Sequence, residues 1–182
     1  MLSENGLASR SHGLRREVID AQANAIGIPI VYGKATWEAY EQEFKRIIKD
    51  LKRLGIEGGV FGDLNLPEHK EWVENVCGEA GLKALEPLWN ERYETLLTEF
   101  VDNNFEALIV SGEKEEWIGR QFNMEFIEQI REQNIDLCGE KGEYHTLVTG
   151  GPLFKQRIKV LETNKKREDN RSILEIIKFI II

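Results

Sequence analysis

Short helical and strand-like segments alternate along the first half of this chain, and this alternation restricts the fold more than any other feature. The spacing of apolar residues predicts a helix over 14–26, a strand over 28–31, a helix from Thr36 to Gly55, a strand within 57–66, a helix from Pro67 to about Gly81 and a strand within 83–89. Strands that alternate with helices at this spacing are typical of α/β proteins. The first half is therefore expected to form a parallel sheet covered by helices.

The regular alternation of helices and strands ends after Trp89. The pattern then predicts a helix around 93–101, a strand over 105–112, a helix over 124–131 and a hairpin of strands at 157–163 and 173–181. The isoleucines of the last segment also fit a helical stripe, but their density favours a strand. We therefore expect a boundary near Asn90, with an α/β domain over 1–90 and a smaller α+β domain over 91–182.

The composition is typical of a globular protein and argues against several other classes. The 182 residues are 41% hydrophobic and 31% charged, and the net charge of -8 disfavours binding to nucleic-acid phosphates. No stretch approaches the roughly twenty apolar residues of a membrane span, and no secretory signal is recognisable. Cys77 and Cys138 are too few for a disulfide scaffold, which predicts reduced thiols and a cytoplasmic protein.

The segment Cys138–Thr146 concentrates polar side chains around two glycines. It predicts a loop that holds a ligand rather than a buried strand, because glycine permits tight turns and a close approach of the backbone to a ligand. The two glutamates would accept hydrogen bonds from an amine, whereas His145 and a backbone amide would donate to a carboxylate. The alternative is a tight turn whose polar groups cap one another. The candidate substrate-binding residues are Gly139, Glu140, Gly142, Glu143, Tyr144, His145 and Thr146.

Four segments, in order, resemble one known family. They are Ser9–Gly13, Gly62–Asp63 after Val60–Phe61, Glu86–Trp89, and Gly139–Thr146 closed by Gly151–Phe154. These segments resemble the diphthine–ammonia ligase family of the PP-loop ATP pyrophosphatases, and the resemblance covers nearly the whole chain. It implies an adenine-nucleotide alpha-hydrolase-like, Rossmann-like parallel sheet in the first half.

The resemblance also implies an activity. Members of the family are ATP-dependent ligases that use Mg²⁺, adenylate a carboxylate and then accept ammonia. The partners implied are a nucleotide and a carboxylate substrate, or a protein that bears one. The cofactor-binding residues implied are His12, Gly13, Gly62, Asp63 and Glu86.

Three of these residues have a plain structural alternative. Asp63 would bind Mg²⁺ through water or orient the nucleotide, or it begins a turn before the helix at Pro67. His12 lies near the nucleotide base in the family pattern, but a histidine beside glycine also suits the start of a helix. Glu86 would hydrogen-bond a ligand or meet a helix N-terminus.

The phosphate loop of the family has no counterpart in this sequence. Family members begin with a strand and a Ser-Gly-Gly-Lys-Asp-Ser loop, and Met1 falls within the second strand of their pattern. Relative to that pattern we expect roughly forty residues to be missing, a span that fits a strand, a loop, a helix and the start of the next strand by the size of such units. We expect an incomplete parallel sheet: the remaining strands close up, a second copy fills the gap in a homodimer, or the natural protein begins before Met1.

Two hypotheses about function follow. The first is a ligase-like protein with weak or absent ATP turnover, and the alternative is a non-catalytic module that binds a small ligand or dimerises. No structural zinc site is expected, because the histidines and cysteines lack metal-ligand spacing. A nucleophilic pair of Cys138 and His145 would lack a third group to orient it.

Overall fold

The computed structural model describes residues 1–168 and 170–182, which form two compact units. The first unit contains Met1–Asn5 and Tyr32–Arg92, and the second contains Gly6–Val31 and Tyr93–Ile182. The helices, in chain order, are α1 (Arg16–Ile26), α2 (Tyr40–Arg53), α3 (Pro67–Ala80), α4 (Tyr93–Asp102) and α5 (Met124–Glu132). The strands are β1 (Gly58–Val60), β2 (Lys83–Leu85), β3 (Glu106–Gly112), β4 (Tyr144–Gly150), β5 (Ile158–Glu168) and β6 (Arg171–Ile181).

Two parallel strands and two helices build the first unit. β1 pairs with β2 in parallel, and Val60 lies opposite Leu85 at the carboxyl ends of the two strands. Pro67 begins α3 and Gly81 ends it in the left-handed conformation, with a φ of 68°, which are the helix positions that favour these residue types. The helices and strands share a small core of Ile48, Val76, Cys77 and Leu82. Residues that follow β1 and β2 therefore emerge at the same edge of the small sheet.

A four-stranded antiparallel sheet in the order β4-β3-β6-β5 is the framework of the second unit. β3 pairs with β4 along most of its length, but it meets β6 only through Ser111 opposite Ile173 and Gly112 opposite Ser172. β5 and β6 form a long hairpin. The core of this unit includes Ile109, Val110, Trp117, Phe126, Ile130, Leu147 and Leu174.

Residues 6–31 fold with the second unit through α1. Ala25 of α1 clusters with Ile158 of β5. The Arg15 side chain, just before α1, donates from Nη2 to the carbonyl oxygen of Ile176, 2.7 Å away. An early segment of the chain is thereby held on the β5–β6 hairpin.

The predicted α/β class is confirmed, with a parallel pair of strands in the first unit and an antiparallel sheet in the second. The C-terminal segment is a strand, as its isoleucine density predicted. The functional division at residue 90 stays a prediction, and the contacts group 6–31 with the C-terminal half. In the described parts of the chain, every helix falls short of the length and hydropathy that a membrane span requires.

Two local predictions are wrong. The segment 28–31 is not a strand, and Ile28 and Val31 are each 60% exposed; Pro29 also offers no backbone N–H to a partner strand. Residues 144–146 belong to β4 rather than to a loop, and Tyr144 is buried. Pairing with β3 and burial of the aromatic ring outweigh the polar neighbours that suggested a loop there.

Candidate functional site

Two motif segments from distant parts of the sequence meet in the second unit. The ring centroids of His12 and His145 are 4.7 Å apart, and the ring planes are tilted by 38°. His12 lies in the turn before α1, whereas His145 is on β4, where it pairs with Ser111 of β3. The approach of these half-buried imidazoles is the central feature of the candidate site.

Gly13 allows His12 to come this close to the sheet. Its φ is +67°, and a Cβ at this position would lie 3.0 Å from the Cγ2 of Ile173 on β6. Residues with a side chain rarely adopt this backbone conformation, and the Ile173 side chain already occupies the space that a Cβ at position 13 would need. Glycine at position 13 is therefore required by the packing of this turn on β6.

Arg171, the first residue of β6, adds a positive charge that is held in place on two sides. Its Nε donates to the hydroxyl oxygen of Ser111 at 3.1 Å, and its Nη1 donates to the carbonyl oxygen of Gly142 at 2.7 Å. Ser111 is buried. The guanidinium is thus fixed to β3 and to the turn before β4.

The two imidazoles are neutral at physiological pH. Burial is the main cause that lowers the pKa of His145 to about 4, and the neighbouring His12 and Arg171 act in the same direction. Burial also lowers the pKa of His12, with a contribution from the charge of Arg171. Each neutral ring offers one N–H donor and one nitrogen acceptor, so the site presents both kinds of group to a polar ligand.

The turn before β4 is closed by its own polar groups. The amide of Gly142 donates to the carbonyl oxygen of Gly139 at 2.9 Å. The carboxylate of Glu143 accepts from the backbone N–H of Lys141 at 3.1 Å, and the backbone N–H of Glu140 donates to Asp136 Oδ1 at 3.4 Å. The structure therefore shows the self-capping turn that was the alternative interpretation. The carbonyl oxygen of Gly142 also accepts a hydrogen bond from Arg171.

Tyr144 and Thr146 are placed by the sheet. The hydroxyl of Tyr144 donates to the carbonyl oxygen of Leu137 at 2.5 Å, and its ring packs edge-on against Trp117 and Phe126 in the core. Thr146 pairs with a residue of β3 and is half-buried. These contacts make Tyr144 a support for the turn.

Cys138 does not have the electrostatics of a nucleophile. Burial is the main cause that raises the pKa of the Cys138 thiol to about 12, and the carboxylates of Asp136, Glu140 and Glu94 contribute in the same direction. Reactive cysteines have lowered pKa values, because the thiolate is the reacting species. The geometry therefore gives no support to a cysteine mechanism.

The remaining predicted residues lie in the first unit. Gly62 and Asp63 follow β1, and the Asp63 carboxylate is 3.1 Å from Nδ1 of His69. Glu86 follows β2, its side chain is 4% exposed, and its Oε2 accepts from Lys70 Nζ at 2.7 Å. Glu86 Oε1 is buried without a hydrogen-bond partner among the described residues. Both acidic residues therefore follow the carboxyl ends of neighbouring parallel strands, where α/β proteins build sites.

Sequence reasoning assigned His12 and His145 to different ligands, and it missed Ser111 and Arg171. Ser111 lies in an apolar strand, and Arg171 stands beside the charged turn of the hairpin, where a cation is usually solvated. No local pattern marks either residue. In the described parts of the chain, no three histidine, cysteine or carboxylate side chains cluster closely enough to hold a metal ion by themselves.

Comparison with known proteins agrees with the motif resemblance. The diphthine–ammonia ligase of Homo sapiens is 28% identical over 164 residues, covering 77% of this chain and 61% of the human protein. The Rattus norvegicus enzyme is 29% identical over 171 residues, covering 81% and 63%. The Schizosaccharomyces pombe enzyme is 36% identical over 93 residues, covering 47% and 15%. The chain thus spans about three fifths of the length of the mammalian relatives.

Two family models match the chain in sequence order. The diphthamide synthase N-terminal domain matches residues 1–84, and the diphthamide synthase C-terminal domain matches residues 92–182. Since these two models account for nearly all of the sequence, the chain belongs to the diphthamide synthase family, which has a PP-loop, adenine-nucleotide alpha-hydrolase-like fold.

Proposed function

We propose that this chain is an amide-ligase-type protein whose second unit binds a carboxylate substrate beside the adjoining rings of His12 and His145. The observation that carries the proposal is the approach of these two neutral imidazoles, which come from two separate motif segments. The names of the relatives indicate diphthine as the carboxylate and ammonia as the nitrogen donor. The overall reaction would join them as an amide, with pyrophosphate released from ATP and the lost carboxylate oxygen leaving on AMP.

The chemistry of the two rings suits this role. An N–H donor stabilises the negative charge that builds on the carbonyl oxygen when an amine attacks it. The unprotonated nitrogen of the other ring accepts a hydrogen bond from the incoming ammonia and orients it. Because both pKa values are lowered, the rings keep their donor and acceptor roles at pH 7.

ATP with Mg²⁺ would activate the carboxylate, and the residues of this chain fit only part of a nucleotide site. Asp63 offers one carboxylate after β1, and Mg²⁺ is commonly held by one or two carboxylates together with phosphates. Oε1 of Glu86 is buried and has no hydrogen-bond partner among the described residues, so it is a suitable acceptor for a hydroxyl or amino group of a nucleotide. His12 and Gly13, which the resemblance assigns to the nucleotide, are proposed here to serve the substrate.

We also propose that ATP turnover by these 182 residues alone is weak or absent. The sequence contains no Ser-Gly-Gly-Lys-Asp-Ser segment. The backbone amides of such a glycine-rich loop bind phosphate groups by donating hydrogen bonds to them. The two free cysteines, Cys77 and Cys138, support a cytoplasmic location, where thiols stay reduced.

The proposal is tested by two measurements on the purified chain. Isothermal titration with diphthine, in the absence of ATP, is expected to show binding that His145→Ala weakens at least tenfold. Lys178→Ala removes an exposed charge elsewhere on β6 and is the control that should leave affinity unchanged. Pyrophosphate release with ATP, diphthine and ammonium should stay near background. Failure to bind diphthine would overturn the substrate assignment, and rapid pyrophosphate release would overturn the proposal of weak turnover.

A second candidate function is a non-catalytic module that dimerises, and one observation favours it. The paired Val60 and Leu85 are 71% and 50% exposed, although parallel sheets are normally covered on both faces. A second copy of the chain would cover these side chains. Light scattering after size exclusion should then show a dimer that Val60→Lys converts to a monomer, whereas Leu153→Lys, at an exposed position of the second unit, should not. A monomeric parent chain would exclude this candidate.

A further inference from the structure

Arg171 is a half-buried cation whose anchoring groups are all neutral. Its Nε and Nη1 bond to a hydroxyl and to a backbone carbonyl, neither of which carries a charge. Its Nη2 is buried and has no hydrogen-bond partner in the part of the chain that the structure describes. In the described parts of the chain no carboxylate lies within ion-pair distance of Arg171, and a charge removed from water without a counter-charge is costly, so a bound anion would stabilise this arrangement.

The sheet register places Arg171 on the same face as the two histidines. Ser111 pairs with His145 on one side and with Ile173 on the other, so these three side chains share a face. Arg171 is two positions before Ile173 on β6 and therefore points to that face as well, as its bond to Ser111 requires. Gly13 packs directly on Ile173 and brings His12 to the same place.

Two carboxylates close to Arg171 along the sheet and the turn already accept hydrogen bonds within the described structure. Glu168 lies opposite Arg171 in the hairpin, but its Oε1 accepts from Lys166 Nζ at 2.6 Å. The Glu143 carboxylate beside Gly142 accepts from the backbone N–H of Lys141. Among the described residues, the donors left on this face are the buried Nη2 of Arg171 and one N–H from each neutral imidazole.

We propose that Arg171, together with His12 and His145, forms an oxyanion site that binds one carboxylate group, and that Arg171 determines its selectivity for an anion over a neutral amide. The assignment to the substrate rests on the function proposed above, whereas the anion site itself stands on the contacts of Arg171. A planar guanidinium that is already fixed on two nitrogens loses little freedom when it takes an anion. The amide product carries no charge, so the same residue would favour its release.

The experiment titrates the full chain with acetate, acetamide and inorganic phosphate and follows the imidazole proton signals of His12 and His145 by NMR. Acetate should shift both signals saturably, and acetamide should not. Arg171→Gln is expected to weaken acetate binding at least tenfold and to raise the pKa of His145. Arg171→Lys keeps the positive charge but loses the two hydrogen bonds to Ser111 and Gly142. Its affinity for acetate should lie between those of Arg171→Gln and the parent chain.

Arg167→Gln is the matched control. It removes an exposed cation from the same hairpin, at a position opposite Ser172 and therefore on the other face of the sheet. Acetate affinity should stay unchanged in this variant. Equal losses in the two glutamine variants, or an unchanged affinity in Arg171→Gln, would overturn the site. Phosphate binding ten times tighter than acetate would overturn the carboxylate assignment. None of these results depends on ligase activity, so failure of the proposed function would be seen separately.

Discussion

The imidazole rings of His12 and His145 lie 4.7 Å apart, one in the turn before α1 and the other on β4. The motif resemblance assigns the first to the nucleotide and the second to the substrate. Since both belong to the second unit, the protonation, backbone conformation and packing of a single site can be tested by substitutions within that unit.

The lowered pKa of His145 predicts a specific dependence of stability on pH. Burial favours the neutral ring, so the folded state binds its proton at about pH 4, whereas the unfolded chain binds it near pH 6.5. The unfolded state therefore holds more protons in this window, and the free energy of unfolding decreases as pH falls from about 6.5 to 4. After allowance for solvent screening of a partly exposed ring, His145 should account for about 1–2 kcal/mol of this loss.

Denaturant unfolding at several pH values measures this effect, with His145→Gln as the comparison. The variant should lose less stability between pH 6.5 and 4 than the parent chain, because its side chain does not titrate. NMR titration of the His145 ring proton should give a midpoint near 4. A midpoint at the ordinary value of about 6.5 would contradict the prediction.

Gly13→Ala should destabilise the second unit more than a substitution at a glycine with free space. Gly13 combines a positive φ with a close approach to Ile173, whereas Gly142 has a φ of +84° and nothing within 4 Å of its Cβ position. We expect Gly142→Ala to cost about 1 kcal/mol of unfolding free energy and Gly13→Ala about 2–3 kcal/mol. Equal costs, measured by denaturant unfolding, would show that the contact with Ile173 does not constrain this turn.

Tyr144→Phe separates a structural role from a role in binding. The change removes the donor to the Leu137 carbonyl, which should cost about 1 kcal/mol of stability. The ring stays in the core, so acetate affinity should remain that of the parent chain, unlike in His145→Ala. A loss of affinity with unchanged stability would instead place the Tyr144 hydroxyl at the ligand.

The regular elements and the strand-end residues could be predicted from sequence because they depend on local periodicity. The apolar spacing that predicted α1 to α5 is the same spacing that buries one face of each helix. Asp63 and Glu86 were identified through the motif resemblance, and both follow sequence segments predicted as strands that contain β1 and β2. Such features can be predicted from residues that are neighbours in the sequence.

The contents of the histidine site depend on contacts between distant segments, and no local pattern contains them. Arg171 was not singled out among the charges beside the hairpin turn, and Ser111 belongs to an apolar strand. Their roles follow from the register of β3 with β4 and β6. The packing of 6–31 on the second unit likewise arises from long-range contacts, so a division at residue 90 was the natural prediction.

The ion pair of Glu86 with Lys70 gives a prediction for the first unit. The Glu86 side chain is 4% exposed and relies on Lys70 Nζ at 2.7 Å for its counter-charge. Lys70→Met should lower Tm in a thermal melt, because it leaves a buried carboxylate unpaired. Lys45→Met is the matched control, since Lys45 pairs with the exposed carboxylates of Glu41 and Glu79 and such pairs contribute little. Replacing Glu86 by Gln in the Lys70→Met background should recover part of the lost Tm, and equal losses in the two methionine variants would mean that Glu86 does not need its partner.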